Sequence, residues 1–70
     1  MEEVDKRIRA IVEELARVRG ECGVSAYALS SQLGKNKNYI AEVENGRGGL
    51  TLKTLLELCE ILEIDPRDLF

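Results

Sequence analysis

Apolar residues recur along this chain at helical spacing. Val4, Ile8, Ile11, Val12, Leu15 and Val18 fall three and four residues apart, so they share one helix face. That spacing predicts a first helix over residues 3–19. Glu2, Glu3 and Asp5 crowd its start and Arg17 and Arg19 its end, an order that complements the helix dipole. Gly20 and Gly23 end it. Ala28, Leu29 and Leu33 mark a second helix over 26–33, with Ser25 placed to cap it and Gly34 to stop it. Ile40 and Val43 mark a third over 37–45, capped by Asn36 and closed by Gly46. Leu52, Leu55, Leu56, Cys59 and Leu62 form the inward face of a fourth over 52–63, opened by Thr51. Asp65 and Pro66 open a fifth over 66–70, since proline suits a first position whose N–H has no intrahelical partner. No segment alternates apolar and polar residues as a half-buried strand does. The pattern predicts an all-α fold, a single domain over 1–70 with five helices, no repeat and no linker.

Composition narrows the function. At 70 residues, 44% hydrophobic and 33% charged, the chain is globular rather than disordered. No apolar run approaches the roughly 18–20 residues of a membrane span. The opening MEEVDKR lacks an apolar signal core, so a cytoplasmic location is expected. Histidine, the commonest general base, is absent. Cys22 and Cys59 alone cannot complete a tetrahedral zinc site, and a reducing cytoplasm disfavours a disulfide between them. Cys59 lies in a leucine-rich pattern and reads as core. No enzyme activity and no cofactor are expected.

Charge changes the picture once it is resolved by segment. The net −3 argues against a nucleic-acid partner. Residues 51–70 alone carry −3, however, whereas residues 35–47 carry +1. The basic segment sits within GKNKNYIAEVENGRG, residues 34–48. Gly34, Lys35 and Asn36 join two short helices, and a three-residue turn containing glycine is the helix-turn-helix spacing. On the second of these helices, Lys37 can donate to guanine O6 and N7. Asn38 can pair with adenine N6 and N7, and Glu42 can accept from cytosine N4. Arg47 and Lys35 suit phosphates. A plainer reading makes Lys37, Asn38 and Arg47 a solvated face, stacks Tyr39 on a neighbouring helix, and puts Leu69 and Phe70 in the core.

The runs SAYALSSQLG, KNKNYIAEVENG and TLKTLLELCEILEIDPRDLF carry a family resemblance. From about Arg7 to Phe70 the chain resembles the Cro and lambda-repressor type of helix-turn-helix domain, the xenobiotic-response-element family. The resemblance implies a compact five-helix fold with helices two and three as the DNA-reading unit. It implies reading residues at the start and outer face of the third helix, here Asn36, Lys37, Asn38, Tyr39 and Glu42. It also implies a structural ion pair between the first and third helices, here Arg19 and Glu44. Ala26 stands where the family often has glutamine, and Lys35 where it usually has an apolar residue. The partners implied are a double-stranded DNA operator and a second copy of the chain. The alternative is a protein-interaction module on the same scaffold, with little or no DNA binding.

Overall fold

A computed structural model describes residues 1–70. Four α-helices follow one another: α1 (Glu2–Glu21), α2 (Ala26–Gln32), α3 (Tyr39–Glu44) and α4 (Leu52–Leu62). A single 3₁₀ turn, Pro66–Leu69, closes the chain, and there are no strands. The expected fifth helix is this turn. Its backbone bond runs from Asp68 N–H to the Asp65 carbonyl three residues back, while the Asp65 side chain takes the Arg67 N–H. No helix is long and apolar enough to cross a membrane.

Helix ends follow from the punctuating residues. Ser25 and Thr51 cap α2 and α4, their hydroxyls accepting from Ala28 N–H at 3.0 Å and Thr54 N–H at 3.1 Å. After α2, Gly34 adopts φ +71°, so its N–H reaches the Ser31 carbonyl and the Lys35 N–H reaches that of Ser30. These two bonds satisfy carbonyls that a helix end otherwise leaves orphaned. α1 and α3 close the same way at Gly23 and Gly46. α1 therefore runs past Gly20 to Glu21, two residues beyond its expected end at residue 19. α4 closes on Glu63 instead, a non-glycine residue at φ 57°.

The core joins Leu15 of α1, Leu29 of α2, Ile40 of α3, and Leu55, Leu58, Cys59 and Leu62 of α4. The inward face of α4 is rotated from the expected one. Leu58 and Thr54 are buried, while Leu52 and Leu56 are exposed. Threonine tolerates that burial because its hydroxyl bonds to the Thr51 hydroxyl at 3.0 Å. Burial, with the nearby Asp65 charge, pushes the Cys59 thiol up, away from its reactive thiolate form. On α1 only the second half of the apolar stripe meets the core. Leu15 is buried and Ile11 and Val18 pack against the cluster, whereas Val4 and Ile8 are exposed. Phe70, read from sequence as core, is 81% exposed, and Leu69 packs against the cluster.

Candidate nucleic-acid interface

α2 packs on α3 across residues 33–38, a longer connection than the expected three-residue turn. Asn36 causes the difference. Its Oδ1 accepts from the Asn38 N–H at 2.9 Å, and its carbonyl accepts from the Tyr39 N–H at 2.9 Å. Asparagine side chains offer the backbone such local partners in competition with a helix. The ladder of α3 therefore starts with Glu42 N–H donating to the Asn38 carbonyl. Lys37 and Asn38 precede α3 rather than lying within it, and the expected helix 37–45 contracts to 39–44.

Ser30 fixes how α2 meets α3. It is fully buried. Its hydroxyl donates to the Ala26 carbonyl at 2.8 Å and accepts from the Ile40 N–H at 3.0 Å. The Ile40 N–H belongs to the first turn of α3, where backbone donors lack intrahelical partners. One hydroxyl thus satisfies a buried donor of α3 from within α2. Sequence reading missed this residue, because serine in a short helix signals nothing until its partner is known.

Tyr39 anchors the other side. It packs against the core cluster, and its hydroxyl donates to the Gly49 carbonyl at 3.3 Å in the loop before α4. The Lys35 ammonium lies 5.5 Å from the centre of its ring. At that range a cation is attracted to the ring face, and the lysine stem covers apolar surface. Lys35 thus covers the apolar ring from a position where the resemblance leads one to expect an apolar residue. Ala26 packs against the core cluster and has no polar group to offer outward.

Arg19 and Glu44 meet across the fold. Arg19 Nε lies 2.7 Å from Glu44 Oε2, and Nη2 lies 2.9 Å from Oε1. Arg19 Nη1 donates to the Val24 carbonyl at 2.9 Å. Both side chains are about one-fifth exposed. The hydrogen-bonded Glu44 carboxylate holds the guanidinium further in its charged form, against the opposing effect of partial burial. One side chain therefore ties α1 to α3 and to the α1–α2 loop.

Of the remaining candidates, Lys37, Asn38, Glu42 and Arg47 carry no such duties. Lys35, Asn36, Lys37, Asn38, Glu42 and Arg47 are all exposed. The side chains of Lys37, Asn38, Glu42 and Arg47 make no hydrogen bond or ion pair within the chain. The structure thus gathers donors and acceptors along residues 35–47, on a backbone pinned by Ser30, Asn36 and Tyr39. It separates Tyr39, whose ring and hydroxyl are engaged, from the free groups around it.

Two short helices at this spacing, one pinned to the other and followed by exposed polar side chains, define a helix-turn-helix unit. A helix-turn-helix family model matches residues 15–69, and the chain belongs to that family, the Cro/C1 type. The family is one of DNA-binding regulatory domains rather than enzymes. The match begins at Leu15, where α1 enters the core. No curated protein and no solved structure matches the chain.

Proposed function

We propose that the chain is a sequence-specific regulator of transcription that binds double-stranded operator DNA as a homodimer and acts as a repressor by occupying its site. α3 and the turn before it enter the major groove. Lys37, Asn38 and Glu42 face base edges, while Lys35, Asn36 and Arg47 meet phosphates. Tyr39 contributes mainly by holding the segment, since its hydroxyl already serves Gly49. The observation that carries this reading is the unpartnered state of Lys37 and Asn38, exposed on a backbone fixed from both sides. A reader of this kind needs preorganised groups with free hydrogen-bonding capacity. Glu42 places a negative charge among the cations, which penalises close approach to phosphate and favours cytosine opposite it.

A second copy supplies what one short helix lacks. Half-sites one helical turn apart, about 34 Å, double the bases read. Such a protein acts where DNA is, which accords with a cytoplasmic location.

Selection of bound sequences from a random duplex pool tests the reading. A palindromic motif is expected, with affinity falling about a thousandfold between 50 and 200 mM salt if about six phosphates are touched. Changing Lys37 and Asn38 to alanine is expected to lose about 1–3 kcal/mol per base contact, with the melting temperature unchanged. Recovery of no motif, or salt-insensitive binding, overturns the reading in favour of a protein-interaction module.

A further inference from the structure

The first half of α1 is built like an interface, and its apolar stripe stays exposed. Met1, Val4, Ile8, Ile11, Leu15 and Val18 repeat at alternating spacings of three and four. This is the a and d pattern of helices that pack on one another. Leu15, Ile11 and Val18 use that stripe against the domain core. Met1, Val4 and Ile8 continue it into solvent, at 91%, 44% and 54% exposure. Every residue from 1 to 10 is exposed. Beside the stripe, Ile8 and Ile11 join Leu50, Leu55 and the exposed Phe70 in an apolar groove.

Area and charge say what covers this surface. The chain exposes 4985 Å². A folded monomer of its 7.8 kDa is expected to expose about 4400 Å². The excess of about 600 Å², taken over the whole chain, is comparable to the roughly 800 Å² each partner buries in an ordinary specific interface. Glu2, Glu3 and Asp5 form an acidic block, and Lys6, Arg7 and Arg9 a basic one directly after it. None of these six side chains makes an ion pair within the chain. A parallel partner of the same sequence would set acid against acid. An antiparallel one sets the acidic block of each copy over the basic block of the other. With Val4 opposite Ile8 of the second copy, Met1 falls opposite its Ile11. Glu3 and Arg7 then flank one side of the stripe, and Asp5 and Arg9 the other.

We propose that two copies of this chain associate through the first three turns of α1, packed antiparallel about a two-fold axis between Val4 and Ile8. The contact is isologous, so it closes at two copies. It supplies the dimer that the operator-binding reading requires and in that sense rests on it. The groove at Phe70 continues the apolar surface at the edge of the pairing.

Sedimentation of the full chain without DNA, at concentrations up to about 1 mM at the weak end of specific affinities, tests the interface. A monomer–dimer equilibrium is expected. Val4→Glu and Ile8→Glu are each expected to weaken it at least tenfold with an unchanged helical circular-dichroism signal. Glu3→Lys and Arg7→Glu give a second test that leaves the packing alone. Each variant alone sets like charges together and is expected to be monomeric. Their mixture is expected to form the heterodimer, where both Glu3–Arg7 contacts are again of opposite sign. A monomer at every concentration overturns the proposal, as does a dimer indifferent to these four substitutions or a mixture that fails to recover. Because no DNA is present, none of these outcomes depends on whether α3 reads DNA.

Discussion

Replacing Arg19 or Glu44 with alanine is the sharpest test of how the fold holds its helix-turn-helix unit. The pair is bidentate, at 2.7 and 2.9 Å. A fully buried pair costs about 3–5 kcal/mol when broken, and a surface pair contributes about 0–1 kcal/mol. With both side chains about one-fifth exposed, an intermediate loss of about 2 kcal/mol is expected for Glu44→Ala. Arg19→Ala also removes the donor to the Val24 carbonyl. It strands a short carboxylate that cannot reach far into solvent, so it is expected to cost about 1 kcal/mol more. A domain of this size has about 4–10 kcal/mol in total, and each kcal/mol moves the midpoint by about 4–8 °C. Thermal and urea unfolding of both single variants and the double variant should give a coupling of about 2 kcal/mol, the double variant resembling Arg19→Ala alone. Two single losses below about 0.5 kcal/mol that simply add would refute the assignment.

Ser30→Ala leaves the Ile40 N–H buried without a partner. It should lose about 1–3 kcal/mol of stability in denaturant unfolding, and operator affinity should fall even well below the melting temperature. Glu63→Gly relieves a left-handed residue that costs about 1–2 kcal/mol but loosens the unfolded chain by about 0.4–1 kcal/mol. A net gain of about 0.5–1 kcal/mol is expected by the same measurement, and any loss would refute the strain. Acid should weaken the fold through two exposed carboxylates. The hydrogen bond from Arg17 lowers Glu14, and the side-chain and backbone hydrogen bonds from Arg67 lower Asp65. Both folded-state values lie below the unfolded ones of about 4, so their support is present above that pH and is lost as pH falls through the folded values. Melting temperature recorded from neutral pH to about 2.5 should fall over that range, with a shallower slope in Glu14→Gln.

The helices were legible wherever a local residue dictates an end. Ser25, Thr51, Gly34 and Gly46 do so through bonds to their own neighbours, and they fall where the pattern puts them. Asn36 was legible as a punctuating residue but not in its effect. Its side chain holds two further residues out of α3, a competition that spacing does not reveal. On α4 the leucines outnumber the buried places, so periodicity favoured Leu52 and Leu56, whereas packing chose Leu58 and Thr54. The meeting of Arg19 and Glu44 followed only from resemblance, since nothing local relates residues 25 positions apart. Ser30 and the Tyr39–Gly49 bond join residues distant in sequence and were not legible at all.

In the segment from 30 to 49, one set of residues holds the backbone and another meets the solvent. Ser30, Tyr39 and Ile40 are occupied inward, while Lys37, Asn38, Glu42 and Arg47 are free. Under the proposed function, preference for a target and persistence of the fold are therefore separately mutable. A lineage of such regulators would drift from one target to another by exchanging the free side chains, never passing through an unfolded intermediate. An engineer randomising those four positions should recover a library that is almost wholly folded.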